Sequence, residues 1–282
     1  MREEAAGSHG NSPACQLCPG KLTTREIDRS MRLTKNWNGR RPAIAGSLAA
    51  LAGVVALAAP AHAVIGGDDA PAPETWMASL QTEQGAFCGG TLIDSEWVLT
   101  AFHCVGDGHV PKDDMQVRIG SLAAGEGGAV ATIAEIVKHP DAKFTEGAGF
   151  SGPDLALLKL EEPVHSPPAP LSSRTPPTGT SARILGWGNM CSDKLCEPET
   201  LQELTLPLSE KVNDKLRFED DMFRGAGPGD SGGPLVVKSG DGGWQLAGVV
   251  SSSMRNSTHS LSSFTDVAQY REWIGRTVEQ LH

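Results

Sequence analysis

Residues 228–234 read Pro228-Gly229-Asp230-Ser231-Gly232-Gly233-Pro234, one serine held in a glycine-rich turn, with an apolar run, Leu235–Lys238, directly behind it. A serine hydroxyl is a weak nucleophile until a neighbouring imidazole can take its proton. Two segments further upstream carry suitable partners. Leu99-Thr100-Ala101-Phe102-His103-Cys104 is a strand running into a histidine, and Pro153-Asp154-Leu155-Ala156-Leu157-Leu158 sets an aspartate at the head of an apolar strand. A buried carboxylate on the far ring nitrogen fixes the imidazole tautomer and steadies the imidazolium. A glycine two positions before the serine lets the backbone N–H groups of Gly229 and Ser231 converge on a developing oxyanion. His103, Asp154 and Ser231 are therefore the candidate catalytic residues, and Gly229 with Ser231 the candidate oxyanion hole.

Further blocks stand around these three. Val64-Ile65-Gly66-Gly67, Cys88-Gly89-Gly90-Thr91-Leu92-Ile93, Trp97-Val98-Leu99-Thr100, Gly186-Trp187-Gly188, Gly248-Val249-Val250-Ser251 and Tyr270-x-x-Trp273-Ile274 occur in order along residues 64–282. Together with Gly229-Asp230-Ser231-Gly232-Gly233-Pro234 they resemble the trypsin/chymotrypsin family of serine peptidases, especially its bacterial secreted members. The resemblance implies an all-β fold of two antiparallel barrels packed side by side, with a C-terminal helix. His103 and Asp154 would come from the first barrel and Ser231 from the second. Ser251 would sit near Asp154 and begin the strand that pairs with substrate. It also implies an activation ion pair between the α-amino group of Val64, once freed by cleavage, and Asp230. The implied partners are protein or peptide substrates and proteinaceous protease inhibitors; a monomer is the default expectation.

The chain departs from the family pattern around the specificity pocket. The segment before the serine, 222–229, is several residues shorter than in most relatives and lacks the cysteines that brace it there. Counting back six from Ser231 puts Gly225 where trypsins keep an aspartate. Ser251-Ser252-Ser253 replaces the family's Ser-Trp-Gly, and Ser262 or Ser263 would form the remaining wall. Gly225, Ser251, Ser253 and Ser262 are thus the candidate pocket residues, and a small or apolar P1 residue is expected; Asp220 or Asp221 could reach inward only if the loop is rearranged. Phe102 stands where a small residue commonly precedes the histidine, and it must pack behind His103. The rebuilt pocket and Phe102 leave one alternative, a catalytically silent homologue that acts as a binding protein. An esterase is disfavoured: Gly229-x-Ser231-x-Gly233 echoes the nucleophile elbow, but that motif needs the order Ser, Asp, His and a helix after the serine.

Away from the motifs, Gly (33), Pro (19) and low aromatic content (5%) suit short strands joined by turns. Strands are expected at Thr91–Ile93, Trp97–Thr100, Gln116–Ile119, Ala129–Val137, Leu155–Leu160, Ala182–Gly186, Leu235–Lys238 and Trp244–Val250. Val267, Tyr270, Trp273, Ile274, Val278 and Leu281 recur at three- and four-residue spacing, which predicts one helix over about 266–280, capped by Thr265 or Asp266. A Pro/Ser/Thr tract, about 165–180, reads as a linker between a first half (64–164) and a second (181–264). Asp113-Asp114 and Asp220-Asp221 read as solvated loops, and His109, His139, His165 and His259 as surface residues. Segment 120–135 lacks the spaced acidic loop by which some relatives hold calcium, so neither metal nor cofactor is expected.

Residues 1–63 form an N-terminal extension and secretory signal peptide: Arg32, Lys35, Arg40 and Arg41 precede the apolar run 43–59, and Pro60-Ala61-His62-Ala63 ends it. That run is short for a membrane span. Met31 would make an ordinary start for such a signal, which would leave Cys15 and Cys18 outside the mature protein. The mature chain would begin at Val64 and be secreted and extracellular, with no membrane association after signal removal. It carries 16 Lys+Arg against 30 Asp+Glu, a net charge of −14, which argues against nucleic acid as a partner. Four cysteines remain, and their neighbours suggest the disulfides Cys88–Cys104 and Cys191–Cys196.

Overall fold

The strand-forming runs of the first half are β1 (Asp68–Asp69), β2 (Met77–Thr82), β3 (Gly85–Asp94), β4 (Trp97–Thr100), β5 (Gln116–Ile119), β6 (Ala129–Lys138), β7 (Lys143–Thr145), β8 (Gly149–Ser151) and β9 (Ala156–Leu160). Residues 64–106, 108, 110–145, 149–189 and 198–281 of the computed structural model are described. Six strands, in the order β2-β3-β4-β9-β6-β5, close into an antiparallel barrel. By register, Leu80, Leu92, Val117, Ile119, Ile133 and Leu158 share one face of it and Met77, Leu99 and Leu157 lie on the other, all essentially without solvent contact. Closure leaves these strands no exposed edge. β7 and β8 form a separate hairpin beside the barrel.

The second half supplies β10 (Ser181–Gly186), β11 (Gln202–Pro207), β12 (Glu210–Val212), β13 (Lys215–Asp220), β14 (Pro234–Lys238), β15 (Trp244–Arg255) and β16 (Ser260–Asp266). With β1 they make an eight-stranded sheet, β1-β11-β10-β14-β15-β16-β13-β12. Leu204 and Leu206 of β11 share one core with Leu216 and Phe218 of β13, so the sheet curls around its apolar face. Only Leu208 and Ser209 join β11 to β12, and the Ser209 N–H already donates to the Arg217 carbonyl in β13 (2.9 Å), which brings the two ends of the curl together. The fold is the trypsin-like double barrel. Several strands lie where no strand was expected: β11 and β13 alternate buried and outward positions over too few residues to stand out, and β16 is almost wholly buried yet built largely of Ser, Thr and Asp.

The chain ends in helix α1 (Val267–Gln280), whose first turn is capped by the Asp266 carboxylate accepting from the Ala268 N–H (3.2 Å). Tyr270 and Trp273 of α1 pack on His139, with ring centroids 5.2 and 4.8 Å away. His139 is therefore buried, not on the surface as its polar type suggested. Its ring fills an aromatic cleft, its Nδ1 accepts from the Asp141 N–H, and burial holds its pKa below the ordinary histidine value. His165 is exposed and His259 half-buried; His109 lies outside the described residues. The 165–180 tract is fastened down: Ala169 N–H donates to Leu92 O in the first barrel, and Ser172 N–H to Leu246 O in the second.

Candidate active site

Strand β4 ends at Thr100, and the chain turns at once into a short 3-10 segment, Phe102–Cys104. This turn is pinned from both sides. A disulfide joins Cys104 to Cys88 of β3, as expected, while Phe102 is buried with its ring over Gly106, where a side chain would have no room. Cys88, Cys104 and His103 lie close together, but the two sulfurs are bonded to each other and cannot serve as thiolate ligands. Cys191 and Cys196 lie outside the described residues.

Asp154 stands just before β9 and has no solvent contact. Its Oδ1 accepts from the His103 backbone N–H (2.9 Å), and its Oδ2 lies 2.8 Å from His103 Nδ1. The Ser251 hydroxyl, from β15 of the second barrel, donates to the same Oδ2 (2.7 Å). An ionised carboxylate only accepts, so Nδ1 donates to it, an arrangement that in the neutral ring leaves the lone pair on Nε2. His103 remains about one-quarter exposed at its side chain. One contact had no signal in the sequence: Phe150, in the β7–β8 hairpin, stacks on the His103 ring at 5.5 Å and 23°. It is 38% exposed.

Ser231 lies in the turn leading to β14. Its carbonyl accepts from the Gly89 N–H of β3 (2.7 Å), which ties the serine turn to the histidine's barrel. Gly229, at φ +94°, occupies a backbone region that side chains rarely adopt. Asp230, between them, is fully buried. Its carboxylate accepts from Gly188 N–H (2.8 Å) and Gly227 N–H (2.7 Å). The Gly186-Trp187-Gly188 block makes room for it, since a Cβ on either glycine would strike the Asp230 side chain. Burial pushes the Asp230 pKa up to about 6, and the two N–H donors offset only part of that rise. Val64 is buried too, and the next residue, Ile65, accepts from the Gly225 N–H (3.0 Å).

The expected pocket residues separate. Gly225 and Ser262 are buried and adjacent: Ser262 Oγ accepts from Ala226 N–H (3.0 Å) and fills the place where a Gly225 side chain would be. Ser253 is exposed and faces Ser262 in the β15–β16 register. Ser251 commits its hydroxyl to Asp154, so only its backbone is available to a substrate. Asp220 is not the solvated loop residue expected. It ends β13, and its carboxylate is taken up by Arg224 and by backbone N–H groups of the following turn. Asp221 is exposed. An open cleft of about 620 Å³ starts at Pro228 and Gly229 and runs along Phe87, Trp187 and Gln81.

A model of the trypsin family matches residues 64–274. Among curated proteins, a mouse (Mus musculus) tryptase is 33% identical over 242 residues, covering 75% of this chain and 87% of the mouse protein. Trypsin theta of Drosophila melanogaster is 33% identical over 241 residues, 77% of this chain and 87% of its own length. A trypsin of Sarcophaga bullata is 33% identical over 216 residues, 69% and 80% respectively. With the barrels, the strand order and the buried Asp–His contact, these similarities make the chain a member of the trypsin family of serine endopeptidases.

Proposed function

We propose that the chain is a secreted endopeptidase that cuts peptide bonds with Ser231 as nucleophile, His103 as general base and acid, and Asp154 as the orienting carboxylate. The observation that carries this reading is the bonding around Asp154: with His103 and Ser251 both on its Oδ2, the imidazole is locked in the tautomer whose Nε2 can take a proton. Ser231 Oγ attacks the substrate carbonyl as its proton passes to Nε2, and the C–O bond forms. The N–H groups of Gly229 and Ser231 hold the oxyanion, where one such donor is worth about 10²–10³ in turnover. His103 then protonates the departing amine, the C–N bond breaks, and water attacks the acyl-enzyme by the same proton route. The cleft beside Gly229 would receive the leaving-group side of the peptide.

A small P1 residue is supported by Ser262, whose hydroxyl occupies the base of the space beside Gly225, and by Asp220, whose charge is spent on Arg224 rather than offered to a basic side chain. Activation follows from Asp230. Its buried carboxylate accepts from two amides and would gain a cation when cleavage after Ala63 frees the Val64 amine. The signal-peptide cleavage expected there would make export itself the activating event, and N-terminal sequencing of the secreted protein checks this: an active form beginning upstream of Val64 would sink it. The peptidase reading is tested by exposing a mixed peptide library to the 64–282 form, with Ser231→Ala alongside. Cleavage after small residues by the native form alone is expected. A folded, processed chain that cuts nothing would instead favour a silent binding homologue.

A further inference from the structure

The turn 220–226 links the specificity pocket to the serine, and it has no disulfide among its described contacts. One carboxylate gathers it instead. Asp220 Oδ2 accepts from the Met222 N–H (3.1 Å), the Arg224 N–H (2.9 Å) and Arg224 Nε (3.2 Å), while Oδ1 accepts from Arg224 Nη2 (2.8 Å). Held between them, Phe223 takes φ +61°, an unfavourable value for a bulky side chain. Its carbonyl accepts from Arg255 Nη2 (2.9 Å), and the Arg224 carbonyl accepts from Ser260 Oγ (2.6 Å). The stem of Arg224 then lies across Gly66: a Cβ there would collide with its Cγ, and Gly66 itself is at φ +78°. One residue earlier, Ile65 O accepts from Gly225 N–H. The N-terminal segment is thus clasped between the arginine stem and the pocket backbone, two residues from Val64.

We propose that Arg224, anchored by Asp220, is a positioning residue that seats the Val64 terminus and shapes the pocket loop in one movement. This rests on the Val64–Asp230 pairing proposed above. The clasp performs with an ion pair what a covalent brace would otherwise do, and it makes seating of the new terminus and order in the loop interdependent. A bidentate arginine–carboxylate pair suits this task because its fork fixes direction as well as distance. Hydrogen bonding to Arg224 holds the carboxylate below its ordinary pKa, consistent with a charged clasp at neutral pH.

The test is the reactivity of the Val64 α-amino group in the purified 64–282 form, measured by mass spectrometry after treatment with cyanate. Wild type, Arg224→Met, Arg224→Lys and Asp220→Asn are compared, with circular dichroism and melting curves to show that each is folded. Arg224→Met keeps the stem on Gly66 and removes only the fork; Asp220→Asn keeps the turn's shape and removes the charge. Wild type is expected to be protected. Both variants should carbamylate about tenfold faster or more, as loss of charge-assisted hydrogen bonds implies, and lose kcat/KM in parallel, with Arg224→Lys between. A folded Arg224→Met chain as protected and active as wild type would overturn the proposal while leaving the activation pair intact. Free carbamylation of wild type would remove the activation pair itself, and the proposal with it.

Discussion

Two fully buried carboxylates flank the proposed chemistry, Asp154 at the head of β9 and Asp230 in the turn before Ser231. Around Asp154 the chain provides an imidazole, a hydroxyl and a backbone amide, drawn from both barrels. Around Asp230 it provides two backbone amides, and burial drives the pKa to about 6. The first site is complete as soon as the barrels fold. The second holds a buried carboxylate with only two amide donors, which on the proposed reading is completed by the freed Val64 amine. On that reading, assembly of the triad and ordering of the serine turn are therefore separable, and only the second depends on cutting the chain.

The strongest way to break the comparison is at Asp154. Asp154→Asn leaves the packing intact but offers Nδ1 an amide in place of a carboxylate, and kcat should fall about 10⁴-fold; measured turnover on a small-P1 peptide decides it. Asp230→Asn should act in opposite senses before and after processing. In the processed chain it removes one partner of the proposed buried ion pair, at a cost of about 3–5 kcal/mol, and activity should drop by about 10²-fold or more. In the uncleaved chain it removes an uncompensated charge, and the melting temperature at neutral pH should rise.

The pH dependence of the uncleaved chain has the same origin. The folded pKa of Asp230 lies above the unfolded value of 3.8, so between 3.8 and about 6 the native state holds a proton that the unfolded chain has lost. Asp230 therefore lowers stability as pH rises through that window, by up to about 3 kcal/mol. Urea titrations of the uncleaved Ser231→Ala chain at pH 4 and 7, each compared with its Asp230→Asn counterpart, isolate that contribution. Equal pH dependence with and without Asp230 would contradict it.

Smaller effects sharpen the picture. Ser251→Ala removes one of the bonds to Asp154 and should cost about tenfold in kcat, since hydrogen bonds to charged groups contribute about 1.5–3 kcal/mol. Ser262→Gly should shift P1 preference toward larger apolar residues by about tenfold, the scale set by one or two methylene groups in a pocket. An unchanged P1 profile would move the pocket base away from Ser262.

The two carboxylates were legible in the sequence because each sits in a short contiguous motif whose residue types have few other uses. The clasp was not, although a trace of it was present. Leu216, Phe218 and Asp220 fall two residues apart on β13, so the strand's alternation turns Asp220 toward the buried side while Asp221 stays outside; reading the pair Asp220-Asp221 as one polar unit hid that phase. His139 escaped for a different reason: its burial depends on Tyr270 and Trp273, 131 and 134 positions away, whose aromatic stripe on α1 needed an apolar partner. Phe150 reaches His103 through a hairpin whose placement nothing local encodes. In the second barrel, strands built on Ser, Glu and Lys with only two or three inward apolar residues gave too short an alternation to register.

The central claim, that Asp154 and Asp230 together arm Ser231, is tested most directly by covalent labelling with a fluorophosphonate, followed by mass spectrometry of the intact protein and its peptides. The processed 64–282 chain should take up one phosphonyl group, on Ser231. The uncleaved chain, processed Asp154→Asn and processed Asp230→Asn should label far more slowly. A folded, processed chain that stays unlabelled, or that labels at another residue, would contradict the account, and equal labelling of the uncleaved chain would remove Asp230 from it.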